Sequence, residues 1–301
     1  MNAFRIFNTI AFVVFCLAIG EAAAILLTGL IFEATPTQVF ESLIDPTSAN
    51  RTFIVIHSSF STLFRLLVFP ILYLLLTDKN AIKILWSNMS LRITPLILSI
   101  LLIFAMMPLV SILIELNYKV VFPAWLSDVE MYFRESEEKA RRLTGVLLSF
   151  GGINDLIIAI FILAIVPGVA EEIFFRGMVQ TQLQHVFKNP NYAVFITAFL
   201  FSFFHFQFYS FIPKMILGIL LGYIFMWSKN IWYSSAVHVT NNLIVVIGTY
   251  FFGFQINFEH RSVIFILLLI ASIVTAALII LYLKNFFYTQ EPMTKHIDKN
   301  I

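Results

Sequence analysis

Long apolar runs separated by short polar connections occupy the chain from its first residues to about residue 284. A transmembrane helix needs about 20 predominantly apolar residues. Such runs predict eight helices, over roughly 5–32, 52–77, 92–115, 153–177, 191–208, 213–228, 231–253 and 262–284. The predicted fold is therefore all-α, a polytopic membrane bundle of about eight transmembrane helices.

The stretch from 125 to 143 has a different pattern. Ser127 and Glu130 have the spacing of a capping box, in which each side chain bonds an amide at the start of a helix. Opposite charges then recur at i,i+4 spacing, in the pairs Glu135–Lys139, Glu137–Arg141 and Glu138–Arg142. Aromatic and aliphatic residues in its first half suit a membrane interface. We predict an amphipathic interfacial helix that ends by Gly151 and Gly152.

Composition supports a membrane protein, because 60% of the residues are hydrophobic and 12% are charged, against about 25% charged in a soluble domain. A net charge of +2 does not indicate nucleic acid as a partner. The single cysteine, Cys16, lies in the first apolar run, so no intrachain disulfide is possible and a packing role is expected.

Lys and Arg in the short connections predict the orientation in the cell membrane, because they are enriched on the cytoplasmic side. With the N-terminus inside, the inner side holds Arg5, Lys79, Lys83, Arg92, Arg176, Lys188, Lys229, Lys284, Lys295 and Lys299. The outer connections hold Arg51, Lys214 and Arg261. Both termini are therefore predicted to be cytoplasmic.

Three regions follow from this pattern. Residues 1–124 hold the first three helices, 125–255 hold the interfacial helix and helices four to seven, and 256–301 hold the last helix and a tail. The basic start and small residues of the first run also resemble a signal peptide. The run continues to Phe32, which is too long for a signal core, so an uncleaved first span is predicted.

Two charged residues interrupt the first two apolar runs, Glu21 and Arg65. Antiparallel neighbouring helices would bring them to a similar depth, so we predict a buried ion pair that sets the register of the two helices. A proton or ion path is the functional alternative. His57, in the second run, is expected to be a packing histidine.

The stretch from 164 to 184 holds two adjacent carboxylates and a guanidinium inside an apolar helix. Ionisable residues at such positions cost a few kcal/mol each to insert and mark functional sites. Glu172 and Arg176 are i,i+4 and meet on one face, where they can neutralise each other. Glu171 projects about 100° away and lacks that partner. One carboxylate is thus predicted to be paired and its neighbour to be available for chemistry.

Two further polar positions lie downstream in apolar surroundings. His205 follows an aromatic run, and His238 and Asn242 are i,i+4 on one helix face. Glu171 lies about six residues, or about 9 Å, before the predicted end of its helix, and His238 lies at a similar depth in its own. His205 is expected to be deeper, about 20 Å from the cytoplasmic side.

The sixth predicted helix has only about 14 residues between Lys214 and Lys229, or about 21 Å, which is short of the bilayer core of about 30 Å. We therefore predict that helices five and six form a hairpin that dips into the membrane, with His205 near its tip. Gly218 and Gly222 form a small-xxx-small pair that permits close packing of this hairpin.

Taken together, these residues resemble a known signature, that of the CPBP family (CAAX protease and bacteriocin-processing, or Abi). Its best-known members are the type II prenyl-CAAX endopeptidases. The motifs are EExxxR at Glu171, Glu172 and Arg176, FxxxH at Phe201 and His205, and HxxxN at His238 and Asn242. They occur in order on separate predicted helices, and the resemblance covers roughly residues 125 to 255.

The resemblance implies intramembrane peptide-bond hydrolysis near the cytoplasmic surface, with a membrane peptide or protein as the substrate. It implies that Glu171 activates water with the help of His205, and that His238 and Asn242 stabilise the oxyanion. Arg176 would hold Glu172 and so fix the helix face that presents Glu171. A carboxylate in an apolar cavity is a usable general base.

The sequence leaves the need for a metal open. Glu171, His205 and His238 would suffice as a zinc set with an open position for water. No HExxH motif is present, and Asn242 is a better oxyanion donor than zinc ligand, so a metal-free site is favoured over zinc. Two other functions stay open. A bacteriocin-immunity or peptide-binding membrane protein would keep the fold without catalysis, and a transporter would use buried charges but should show an internal repeat, which this sequence lacks.

Overall fold

The computed structural model of the protein describes residues 2–46, 50–77, 91–253 and 262–289. Within these ranges the secondary structure is helical. The helices are α1 (Asn2–Phe32), α2 (Pro36–Ile44), α3 (Arg51–Leu63, Phe64–Val68 and Phe69–Thr77 in unbroken succession), α4 (Ile93–Tyr118), α5 (Ser127–Leu147), α6 (Ile153–Val186), α7 (Pro190–Phe203), α8 (Phe211–Ser228), α9 (Ile231–Phe252) and α10 (Val263–Thr289). The lysines at 79, 83, 295 and 299 and Arg261, used above for orientation, lie outside the described ranges.

The all-α membrane bundle is confirmed. Among the described residues, seven helices are long and apolar enough to cross a membrane, namely α1, α3, α4, α6, α8, α9 and α10. The expected eighth, α7, has only 14 residues, or about 21 Å at 1.5 Å per residue. The hairpin is thus short in its first arm, α7, and not in its second as predicted, because a turn at Phe208–Ser210 extends the second arm.

Four helix pairs build the bundle. α1 packs on α3, α4 on α10, α6 on α9, and α7 on α8. The largest buried cluster forms where α6 meets α1, α7 and α8, and it includes Phe174, Phe175 and Phe201. Many side chains on the outer surface are large and apolar. A surface of this kind is compatible with lipid.

Close backbone approaches occur at two glycines. A Cβ on Gly168 of α6 would lie 2.9 Å from the backbone nitrogen of Val239 in α9. A Cβ on Gly218 of α8 would lie 3.1 Å from the Cα of Ala198 in α7. The predicted close packing of the α7–α8 hairpin is therefore confirmed. Gly168 was not predicted to matter, and it brings α9 against α6 one residue away from His238.

The helix that carries the paired glutamates is longer than predicted. α6 ends at Val186, nine residues later than the predicted end at 177. Gln180 and Thr181 do not leave the bundle, because both are buried and their side chains bond the Gly222 and Arg176 carbonyls. Glu171 is therefore about 22 Å from the end of its helix and not about 9 Å.

The predicted capping box at Ser127 and Glu130 is wrong. A turn at Ala124–Leu126 leads into α5, so Ser127 already has helical dihedral angles. Glu130 instead accepts hydrogen bonds from Arg134 and from the Phe122 N–H. These two donors hold the pKa of the Glu130 carboxyl below its usual range.

A capping box is present elsewhere. Thr35 and Gln38 form one at the start of α2, a helix that the apolar runs did not predict. There the Gln38 side chain accepts from the Thr35 N–H, and the Thr35 hydroxyl accepts from the Gln38 N–H.

The ion pairs of α5 also differ from the predicted ones. Arg141 bonds Glu138, three residues before it, through two nitrogens, and not Glu137. Among the described side chains, neither the Glu135–Lys139 nor the Glu138–Arg142 pair comes within 4.0 Å. Glu137 instead turns toward the connection between α7 and α8. The helix ends at Leu147, before Gly151.

Candidate active site

The predicted pairing of Glu172 with Arg176 is confirmed. Arg176 Nη1 donates to Glu172 Oε1 over 2.7 Å, and both side chains are fully buried. Arg176 Nη2 also donates to the Gly218 carbonyl at 3.0 Å, and the guanidinium lies 4.9 Å from the ring centre of Phe201. Arg176 therefore ties α6 to both arms of the α7–α8 hairpin.

His238 reaches this pair from α9. Its Nδ1 lies 2.9 Å from Glu172 Oε1. Because that carboxylate is already bonded to Arg176, it acts as an acceptor, and His238 Nδ1 carries the proton. The ring is 3% exposed. Glu172 thus fixes the orientation of His238 and turns its Nε2 toward Glu171.

His205 lies just beyond the end of α7, near the tip of the hairpin as predicted. Its Nδ1 lies 2.7 Å from the Phe201 carbonyl, one turn earlier. A carbonyl only accepts, so Nδ1 carries the proton here too. The Phe201 ring packs edge-on against both histidine rings, with centres 5.0 Å from His205 and 5.6 Å from His238. Phe201 of the FxxxH motif thus spaces the two histidines.

The connection that carries His205 is held by side chains that the sequence did not reveal. Asn117, at the end of α4, donates to the Phe208 carbonyl and accepts from the Ile212 N–H. From α5, Ser136 donates to the Phe206 carbonyl over 2.6 Å, and Glu137 accepts from the Tyr209 N–H. The amphipathic helix therefore clamps the turn beside His205.

Three acceptor atoms converge at Glu171. Its Oε2 lies 3.8 Å from His238 Nε2 and 4.0 Å from His205 Nε2. In their neutral forms both nitrogens carry lone pairs, because the protons are on Nδ1. Oε2 is buried and has no hydrogen-bond partner within the described ranges. The prediction that Arg176 pairs with Glu172 and not with Glu171 is therefore confirmed.

Asn242 is not brought into this cluster. It lies one turn after His238 on α9 and is half-buried. Its Oδ1 accepts from Asn241 at 3.3 Å. Of the six residues singled out from the sequence, five therefore meet at one place, and Asn242 lies beside it without a described contact to Glu171 or to either histidine.

A metal would need several ligands within about 2.0–2.2 Å of one point. The His238–Glu172 bond is the kind of support that metal-ligating histidines receive. In the part of the chain that the structure describes, however, no three His, Cys, Asp or Glu side chains form a group that can hold a metal ion.

A second polar cluster joins α1 to α3, and it confirms the expected contact between Glu21 and Arg65. Arg65 Nη1 lies 3.4 Å from Glu21 Oε2. The pair is about one-third exposed and not fully buried. His57, expected only to pack, lies with Nε2 3.1 Å from Glu21 Oε1, and Ser61 donates to Glu21 Oε2 over 2.6 Å.

The fold and site define a polytopic membrane protein with a buried acid–histidine centre. Residues 153–244 match the family model described as Type II CAAX prenyl endopeptidase Rce1-like. That segment, which runs from the start of α6 into α9, is therefore similar to the type II CAAX prenyl endopeptidases. The segment covers Glu171, Glu172, Arg176, His205, His238 and Asn242. Neither the curated proteins nor the solved structures gave a match.

Proposed function

We propose that this protein is an intramembrane endopeptidase in which Glu171 activates a water molecule that hydrolyses a peptide bond. One observation carries the proposal, namely the buried, partnerless Oε2 of Glu171 that faces the Nε2 atoms of His205 and His238. The match of residues 153–244 to a family of endopeptidases supports it independently.

The three convergent acceptors suit a water molecule, which has two hydrogens to donate. A single water can lie at hydrogen-bond distance, about 2.8 Å, from atoms that are 3.8 and 4.0 Å apart. Donation to Glu171 and to a histidine leaves a lone pair of the water free to attack. A positioned base of this type contributes about 10²–10⁴-fold to the rate.

In the proposed reaction the water oxygen bonds to the scissile carbonyl carbon while Glu171 takes one proton from the water. The carbonyl oxygen becomes an oxyanion. Glu171 then returns the proton to the amide nitrogen, the C–N bond breaks, and the products are a carboxylic acid and an amine. Each atom of the water is accounted for in the two products.

Stabilisation of the oxyanion depends on the protonation of His238. Its Nδ1–H is committed to Glu172, so Nε2 can donate only when the ring carries a second proton. The side-chain amide of Asn242, one turn away, is the other proposed donor. A preorganised donor of this type contributes about 2.7–4 kcal/mol.

The proposed substrate is a membrane peptide or protein, cut within the cell membrane at the depth of Glu171, about 22 Å from the end of α6, with both termini of the enzyme cytoplasmic. The region 125–255 remains the proposed catalytic core. A metal-free site is proposed in preference to zinc.

The test is proteolysis by purified protein in detergent micelles, wild type beside Glu171→Gln, with a fluorogenic peptide library. Each reaction is run with and without a zinc chelator. We expect cleavage by the wild type that survives the chelator and is lost in the variant. Elution volume and circular dichroism confirm that both proteins are folded.

Cleavage lost in both the variant and the chelated wild type would make His205 and His238 metal ligands and overturn the metal-free mechanism. Cleavage retained by Glu171→Gln would overturn the assignment of the base. A folded wild type that cuts no peptide in the library would favour the immunity or peptide-binding function instead.

A further inference from the structure

Arg65 on α3 is the strongest candidate for a role that the family motifs do not cover. It lies outside the matched segment 153–244. It is the cationic member of the cluster on α1 and α3, where Glu21 is contacted by His57, Ser61 and Arg65. A charged residue of this kind within a membrane span indicates a function.

The guanidinium is only weakly engaged. Its described hydrogen bonds both come from Nη1, to Glu21 and to Ser61, and both are 3.4 Å long. Nε is buried and has no partner in the described part of the chain. A guanidinium has five N–H donors in a planar fork, so Arg65 keeps donors for another acceptor.

A cavity of about 190 Å³ connects Arg65 with the proposed catalytic base. Arg65 and Glu171 both line it, at walls formed by α3 and α6. The remaining lining residues are Leu17, Ser61, Thr62, Leu66, Phe175, Phe204 and His205. Drug-sized ligands occupy about 300–1,000 Å³, so this space suits one end or one side chain of a peptide.

The backbone fixes Arg65 at this wall. It lies in a π-helical stretch, Phe64–Val68, a distortion that is frequent at functional sites. Gly20 of α1 packs directly against it, since a Cβ on Gly20 would lie 2.7 Å from the Arg65 Cα. The guanidinium therefore projects from a rigid contact between α1 and α3.

We propose that Arg65 binds a carboxylate of the peptide substrate and so places the scissile bond at Glu171. This inference rests on the proposed function. A guanidinium recognises a carboxylate with two parallel hydrogen bonds. The 3.4 Å bond between Arg65 and Glu21 can break when a substrate binds, because Glu21 keeps shorter bonds to His57 (3.1 Å) and Ser61 (2.6 Å).

The carboxylate has two chemical sources, the C-terminus of the peptide or an Asp or Glu side chain near the cut. Three fluorescent probes separate them. All share one apolar sequence; the first ends in a free carboxylate, the second ends in an amide, and the third ends in an amide but carries one Glu beside the cleavage position.

Binding is measured by fluorescence anisotropy on Glu171→Gln protein, which binds without cutting. We expect one or both carboxylate probes to bind about 10- to 100-fold more tightly than the uncharged amide. Adding Arg65→Gln should abolish this difference and leave the affinity for the uncharged probe unchanged. Arg65→Lys should restore part of the difference.

Equal affinity of the Glu171→Gln protein for all three probes would overturn the inference even before Arg65 is changed. An equal loss for all three probes in Arg65→Gln would also overturn it, since that pattern reports a structural role. If the wild type binds carboxylate probes selectively but cuts none of them, the proposed peptidase function is contradicted, while the proposed carboxylate site at Arg65 is supported. If cleavage depends on Glu171 but the affinity is the same with and without a carboxylate, the peptidase function is supported and the carboxylate site at Arg65 is contradicted.

Discussion

Two clusters in this protein are built from glutamate, histidine and arginine, and they differ in which charge is left over. On α6, Arg176 is engaged by Glu172 and by the Gly218 carbonyl, and Glu171 keeps an oxygen without a partner. On α1 and α3 the shorter bonds of Glu21 are those to His57 and Ser61, and both described hydrogen bonds of Arg65 are 3.4 Å long.

The difference follows from the number of carboxylates. Two adjacent glutamates on α6 compete for one arginine, and the i,i+4 geometry gives it to Glu172. The single glutamate on α1 faces three donors from α3, and its shorter bonds go to His57 and Ser61. The leftover anion and the leftover cation line the same cavity. A peptide fits this arrangement when its scissile bond lies at the carboxylate of Glu171 and an anionic group lies at the guanidinium of Arg65.

The largest expected effect concerns the two carboxylates. Glu171→Gln should lower kcat by about 10²–10⁴-fold, because it removes the proposed general base. Glu21→Gln should lower kcat by less than about tenfold, because the base is untouched. Initial rates of peptide cleavage at saturating substrate check both. Similar losses in the two variants would end the division of roles between the clusters.

The second effect is on stability. Glu172→Gln leaves Arg176 fully buried without its carboxylate, and breaking such a pair costs about 3–5 kcal/mol. Glu21→Gln should cost less, because the Glu21–Arg65 pair is about one-third exposed. Thermal unfolding in detergent measures both. A higher unfolding temperature for Glu172→Gln than for Glu21→Gln would contradict the ranking.

The third effect tests the helix contact that brings His238 to Glu171. Gly168→Ala places a Cβ 2.9 Å from the Val239 nitrogen and should separate α6 from α9, with lower stability and at least about tenfold lower kcat. Gly145→Ala in α5 is the matched control, because a Cβ there meets nothing within 4 Å. Alanine at position 145 should stabilise its helix by about 0.5–1 kcal/mol. Unchanged cleavage by Gly168→Ala would show that this contact does not position His238.

The smallest effect concerns the clamp on the turn beside His205. Ser136→Ala removes a hydrogen bond to that turn, and Glu137→Gln replaces a charged acceptor with a weaker neutral one; each change is worth about 1 kcal/mol, so kcat should fall by about three- to tenfold. Glu138→Gln, one residue along α5, breaks only the exposed pair with Arg141 and should leave kcat unchanged. A fall for Glu138→Gln as large as for Glu137→Gln would point to a general role of charge in α5.

Contacts set by local helix geometry could be predicted from the sequence. Glu172 with Arg176 follows from i,i+4 spacing, and Glu21 with Arg65 follows from matching depth in two antiparallel helices. The bond between His238 and Glu172 could not be predicted, because it depends on how closely α9 crosses α6. α9 can approach α6 this closely because Gly168 has no side chain.

The two capping boxes show the same limit. Ser127 with Glu130 and Thr35 with Gln38 fit one pattern equally well, and only the second forms. The turn at Ala124–Leu126 already starts the helix before Ser127, and a Phe122 N–H claims Glu130. Neither the preceding turn nor the bond from the Phe122 N–H can be read from a four-residue motif.

Gly20 and Gly168 have a consequence in evolutionary terms. Each is a place where a neighbouring backbone occupies the space of a side chain, beside Arg65 in one case and His238 in the other. A lineage that keeps both sites can therefore exchange its lipid-facing residues freely while these two positions stay glycine. Descendants that lose the Arg65 site but keep catalysis should show drift at position 20 first, with position 168 still fixed.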